Sequence, residues 1–219
     1  MNIYLAGASL AAALVYGLAL SSRPPGVARM LIKTAAVGLL ALIAWLAGAP
    51  WLLVAALAFS ALGDAFMADP DRFLPMGLAS FLLAHLLYSP LFLSFGDVSA
   101  LAEPLRAAGV GATILLALVL LRWLWPELGK LRPAVIAYVV AITGMVSTSF
   151  LLPTAMWPAM VGAVAFMASD AILAGELFRK AKLAGSQRLT DWAVWFLYYG
   201  GQALIAYAVL EACCSRQVI

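Results

Sequence analysis

The sequence predicts an all-α polytopic membrane protein, a bundle of about eight transmembrane helices with both termini on the non-cytoplasmic side. Three observations carry that expectation. Of 219 residues, 66% are hydrophobic and only 11% charged, and the mean hydropathy is +1.04. Soluble domains run near half apolar and a quarter charged. Apolar runs recur along the whole chain, each approaching the ~20 residues that cross ~30 Å of hydrocarbon. Lysine and arginine, finally, gather in alternate connections, as the positive-inside rule sorts them.

Taken in order, the apolar runs cover residues 3–20, 29–47, 51–67, 73–94, 101–121, 131–151, 157–178 and 190–210. Breakers part them: Ser21-Ser-Arg-Pro-Pro-Gly26, Gly48-Ala-Pro50, Asp69-Pro-Asp-Arg72, Ser94-Phe-Gly-Asp97, Trp125-Pro-Glu127, Pro153 with Pro158, and Lys182-Leu-Ala-Gly-Ser186. Gly48-Ala-Pro50 alone separates the second run from the third. Connections this short make consecutive helices antiparallel neighbours. The length predicts one transmembrane domain over 1–219. The first run lacks a basic flank and is long enough to span, so a retained helix is expected there rather than a removable signal peptide.

The odd-numbered connections and their flanks hold Arg23, Arg29, Lys33, Arg72, Arg122, Lys130, Arg132, Arg179, Lys180, Lys182 and Arg188, whereas the opposite side holds Arg106 and Arg216. That split puts the odd connections in the cytoplasm and both termini outside, with a bacterial inner membrane as the expected location. Trp51, Trp123, Trp125, Trp157 and Trp192 stand near run ends, as an interfacial aromatic belt requires.

Composition also excludes chemistry. The net charge of +3 is no nucleic-acid signature. One histidine, His85, and two cysteines, Cys213 and Cys214, far along the chain, do not supply a zinc centre. Adjacent cysteines form no disulfide framework. Asp69 and Asp71 read as a solvated turn, and no metal or cofactor is demanded. Gly-x-Ser-x-Gly, His-Glu-x-x-His and Gly-rich phosphate loops are missing.

The informative residues are the polar ones inside the runs. Asp170 lies in Phe166-Met-Ala-Ser-Asp-Ala-Ile172, and Asp64 repeats the setting in Leu62-Gly-Asp-Ala65. A charge at the bilayer centre costs roughly 2.5–3.5 kcal/mol on insertion scales, so such a residue faces a cavity or partner and marks function. At 1.5 Å per residue, Asp170 is about 13 Å from Arg179, and His85 about 20 Å from Arg72, with Tyr88 on the same helix face. Lys33, Asp64, Tyr198, Tyr199 and Gln202 fall in the same half of the bilayer. A chamber open to the cytoplasmic leaflet is the economical arrangement.

Bland readings stand beside each of these. Lys33 can snorkel to the interface. The tyrosines and Gln202 can serve as interhelical hydrogen bonds. Ser169 and Gly63 can simply permit close helix approach, and Glu176 can pair with Arg179 or Lys180. Asp64 and Asp170 both fall on the third run of a four-run half, which suggests a parallel internal repeat. In that repeat Lys33-Thr34 corresponds to Arg132-Pro133, early on each second run.

Lys33-Thr34, Gly63-Asp64, Phe73 through Gly77, Phe81 with His85 and Tyr88, Gly162-Ala163 through Phe166 with Ser169-Asp170, and Tyr198 to Gln202, in that order and spacing, resemble the YhhN/TMEM86 family. The resemblance runs from the second helix to the eighth. It departs at Thr34, where proline is expected after the lysine, a detail that bears on a helix start. It implies a multi-pass membrane lysoplasmalogenase whose partner is a lysophospholipid in the bilayer. Such an enzyme hydrolyses the vinyl ether of a lysoplasmalogen to a fatty aldehyde and glycerophosphoethanolamine or glycerophosphocholine.

That reaction suits the residues. Protonation of the vinyl-ether β-carbon gives an oxocarbenium ion, water captures it, and the hemiacetal collapses. A proton donor, an anion and a base for water are needed, and two carboxylates in different settings divide such work. The expected catalytic group is Asp64, Asp170 and His85. Lys33, Tyr88, Ser169, Tyr198, Tyr199 and Gln202 are expected to bind substrate or water, Lys33 by tuning the carboxylates or by holding the lipid phosphate. A Ser169–His85–Asp64 triad has no sequence signature. The competing reading is a small proton-coupled transporter, for which Gly200-Gly201 and Gly144 are the candidate helix breaks.

Overall fold

The computed structural model describes residues 2–216, apart from the side chain of Arg216. That arginine, assigned above to the less basic face, therefore lies outside the described side chains. The described residues form eight α-helices: α1 (Ile3–Val15), α2 (Val27–Leu46), α3 (Trp51–Phe66), α4 (Pro70–Leu93), α5 (Pro104–Leu124), α6 (Arg132–Ser149), α7 (Trp157–Arg179) and α8 (Gln187–Arg216). A π-helical turn, Tyr16–Leu20, carries α1 to the end of its apolar run.

Seven of these segments are long and apolar enough to cross a membrane. The exception is α3, whose 16 residues reach about 24 Å at 1.5 Å per residue. Every apolar run is a helix, but α8 continues beyond its run by six residues, to Arg216.

Local chemistry explains the boundaries. Asn2 caps α1 by accepting the N–H groups of Tyr4 and Leu5. Proline stands in the first turn of α4, α5, α6 and α7, where its missing N–H costs nothing. Gly48, at φ +67°, makes the turn between α2 and α3 in a conformation that favours glycine.

The core joins α1–α4 with α6–α8 through Leu53, Leu57, Tyr88, Phe92, Phe166 and Ile205. The closest helix contact is α7 on α8. A Cβ on Gly162 would sit 2.5 Å from the carbonyl oxygen of Gly201, and one on Gly201 would sit 2.6 Å from that of Gly162. Only paired glycines let two backbones approach so closely, a common device between membrane helices.

One expected neighbour relation fails. α4 packs on α6, not on α5. The 94–103 connection, with its own short helix Val98–Ala102, is long enough to carry α5 to the periphery. There α5 buries only Thr113, Ala117 and Leu124 and exposes Leu115, Leu116 and Leu118. Arg106 anchors it by donating to the Phe150 and Leu152 carbonyls and to Thr154.

At the basic end, arginines stack on aromatic rings: Arg132 on Trp125, Arg179 on Trp123 and Arg188 on Trp192. Such stacking suits an interface where stems are apolar and heads are wet.

Candidate active site

A cavity of about 180 Å³ opens at the end of the bundle where the odd connections gather. α2 brings Arg29 and Lys33, α3 brings Asp64, α7 brings Ser169, Asp170 and Glu176, and α8 brings Asp191, Trp195 and Tyr198. The two aspartates that the sequence singles out therefore share one chamber.

Asp64 is fully buried on the last turn of α3. Lys33 Nζ lies 3.3 Å from its Oδ1, an ion pair without hydrogen-bond alignment. The Tyr198 hydroxyl donates to Oδ2 at 2.7 Å. The ammonium also sits 5.7 Å from the Tyr16 ring centre and 5.9 Å from that of Trp195. Lys33 is thus held inside the bundle rather than snorkelling out, and its charge is answered by a carboxylate and two π faces.

Asp170 has different neighbours. The Tyr138 hydroxyl donates to its Oδ2 at 2.5 Å. His85 Nε2 is 3.6 Å from the same oxygen, too far for a hydrogen bond. His85 lies fully buried behind Asp170, with its ring against Phe166 and Tyr138 and both nitrogens lacking a hydrogen-bond partner. A buried orphan polar group is costly, so two on one ring mark an unusual setting.

The other expected residues divide. Tyr88 and Gln202 lie beneath the chamber: the Tyr88 hydroxyl donates to Gln202 Oε1, and the Gln202 amide donates to Ser60 Oγ at 2.9 Å. Ser169 borders the cavity but commits its hydroxyl to the Val194 carbonyl at 2.7 Å. Tyr199 points away toward α1 and pairs with Ser9 at 2.9 Å. The Ser169–His85–Asp64 triad is not assembled, because Ser169 bonds backbone and His85 stands beside Asp170. Glu176 accepts from Gln187 and lines the chamber, while Arg179 pairs instead with Glu127 at 3.1 Å. The loop between α7 and α8 folds back and brings Gln187, the first residue of α8, to Glu176, which helical spacing alone does not reveal. Gly200-Gly201 and Gly144 break nothing, since α8 and α6 run straight through them.

Tyr138 escapes the sequence reading. The signal lies in a spacing shared by the two halves of the chain. Asp64 and Asp170 are each the fourteenth residue of their helices, α3 and α7. Lys33 and Tyr138 are each the seventh residue of the preceding helices, α2 and α6. The counterpart of Lys33 is therefore Tyr138, not Arg132. The fourth helix of each half serves the other half, Tyr198 of α8 reaching Asp64 and His85 of α4 approaching Asp170. Thr34 sits within the second turn of α2, so its departure from proline touches no helix start.

Comparison with known proteins follows the same lines. The chain matches the YhhN family over residues 28–209. Two proteins named lysoplasmalogenase, from Mycobacterium bovis and Mycobacterium tuberculosis, are each 38% identical over 159 residues, covering 70% of this chain and 58% of theirs. The match thus spans little more than half the length of those relatives. A Rattus norvegicus protein named lysoplasmalogenase TMEM86B is 30% identical over 221 residues, covering 95% of this chain and 84% of its own. No solved structure gives a significant match.

Proposed function

The chain belongs to the YhhN family, and on that premise we propose that it is a membrane-embedded lysoplasmalogenase. It hydrolyses the vinyl ether of a lysoplasmalogen to a fatty aldehyde and glycerophosphoethanolamine or glycerophosphocholine. The observation that carries this reading is the pair Asp64 and Asp170 on the wall of one chamber, with Lys33 beside the first and the Tyr138 hydroxyl donating to the second.

The difference in partners divides the labour. Asp170, braced through Oδ2 by Tyr138, delivers a proton to the β-carbon of the vinyl ether. The electron pair of the double bond forms the new C–H bond, and the ether oxygen shares the resulting positive charge. Asp64, paired with Lys33, steadies that oxocarbenium ion as the carboxylate and takes a proton from the water that attacks it. The hemiacetal so formed then collapses: its hydroxyl gives its proton to Asp170 as the C=O bond forms, the C–O bond to glycerol breaks, and that oxygen takes the proton held by Asp64, so that aldehyde and alcohol leave with both carboxyls restored. Buried, preoriented charges stabilise such a cation better than water does. Tyr198 holds Asp64 in place, and Arg29, which lines the chamber and is braced by the Ser21 and Ala68 carbonyls, lends its positive charge to the lipid phosphate.

The wider assignment follows the charge distribution. The basic connections face the cytoplasm, both termini lie on the other side of a bacterial inner membrane, and residues 1–219 act as one membrane domain.

The test is aldehyde release from a lysoplasmalogen by detergent-purified protein, beside Asp170→Asn of equal thermal stability. Release by the wild type and its loss in the variant support the assignment. Equal activity in both removes Asp170 from the chemistry. Silence in both, with proton-coupled uptake by liposomes, replaces the hydrolase with a carrier.

A further inference from the structure

A second cavity lies on the other side of Asp170. It runs between α5, α6 and α7, and its walls are apolar, with Leu120, Leu124, Val139, Ile142, Ala174 and Phe178 among them. Its only polar lining residues are Asp170 and Tyr138. Asp170, Leu173 and Leu177 line both this cavity and the polar chamber, so the two meet along one stripe of α7. From Asp170 to Leu177 that stripe extends about 10 Å at 1.5 Å per residue.

Resting on the lysoplasmalogenase reading, we propose that the α5–α6–α7 cavity is the binding site for the alkenyl chain of the substrate, and that Asp170 marks the boundary between chain and head group. A lysoplasmalogen changes from apolar to polar at its vinyl-ether bond, the bond to be cleaved. The protein changes from apolar to polar walls at Asp170. Aligning the two boundaries sets the ether at the carboxyl, the glycerophospho group toward Arg29 and Lys33, and the chain among leucines and valines. Apolar burial favours this pose, though far less when the chain is taken from lipid than when it is taken from water. The gain is therefore registration rather than raw affinity. It also gives α5 a role: a helix that buries little in the core supplies one wall of the chain site.

The experiment compares Ala174→Phe and Val139→Phe with the wild type on lysoplasmalogens of long and short alkenyl chain. Both substitutions add bulk to the cavity wall and leave the two aspartates themselves unchanged. The expected result is a fall of tenfold or more in the long-to-short ratio of kcat/KM. A saturated 1-O-alkyl lysophospholipid carrying a diazirine at the chain end supplies a second readout. It should label α5, α6 or α7 in the wild type and lose that label in the variants. An unchanged ratio together with unchanged labelling overturns the chain site. Labelling confined to α1 or α8 overturns it too. A wild type that labels as expected but releases no aldehyde keeps the chain site and overturns the hydrolase reading.

Discussion

Lys33 and Tyr138 occupy equivalent places in the two halves of the chain, each the seventh residue of its helix and each reaching the fourteenth residue of the helix that follows. One is a cation and the other a neutral donor. Matched helix positions therefore carry two unlike carboxylate settings, and the difference between these residues distinguishes Asp64 from Asp170.

Removing that cation should be costly. Lys33→Met leaves Asp64 buried without its charge partner, and breaking a buried pair on one side costs about 3–5 kcal/mol. The thermal midpoint in detergent should fall sharply. Adding Asp64→Asn to Lys33→Met should restore much of it, because the orphaned charge is gone. A double variant no more stable than Lys33→Met contradicts the coupling.

Tyr138→Phe removes one hydroxyl and no bulk. Stability should drop by about 1 kcal/mol, a typical net hydrogen bond. Aldehyde release should fall about tenfold through kcat, with KM little changed, because the residue orients Asp170 rather than holding lipid. Unaltered turnover would place Tyr138 outside the chemistry.

Tyr198 and Tyr199 are adjacent in sequence but face opposite ways. Tyr198→Phe should lower turnover about tenfold by freeing Asp64 Oδ2, the loss of one hydrogen bond to a charged group. Tyr199→Phe loses only the bond to Ser9 and should keep turnover within about twofold, with a stability loss near 1 kcal/mol. Steady-state rates for the pair decide the matter, and equal effects would refute the assignment.

Gly162→Leu and Gly201→Leu each drive a side chain into facing backbone. Backbone cannot swing aside, so overpacking here should exceed the 1–3 kcal/mol typical of cores. Size-exclusion profiles and thermal midpoints in detergent should show a largely unfolded or aggregated protein. Gly200→Ala is the control, since a Cβ there meets nothing within 4 Å.

The eight helices were legible because the thickness of the hydrocarbon layer acts on every residue of a span, whatever its partners. Asp64 and Asp170 stood out for the same reason: their cost in hydrocarbon is a property of the residue, visible without a fold. Partnerships were not legible in that way. Tyr138 looks like any membrane tyrosine until α6 brings it to Asp170. Tyr199 looks like a site residue until α8 turns it toward α1, and Glu176 finds Gln187 only through the fold of a loop.

Sequence by itself determined the membrane class, the helix count and the two intramembrane carboxylates, since these follow from local hydropathy and from the energy of a charge in lipid. Only tertiary structure decided which donor serves which carboxylate, that α4 rests on α6, and that a polar chamber and an apolar cavity meet at Asp170. Those outcomes depend on how helices far apart in sequence rotate and approach. That is fixed by contacts such as Gly162 on Gly201, which no local periodicity records.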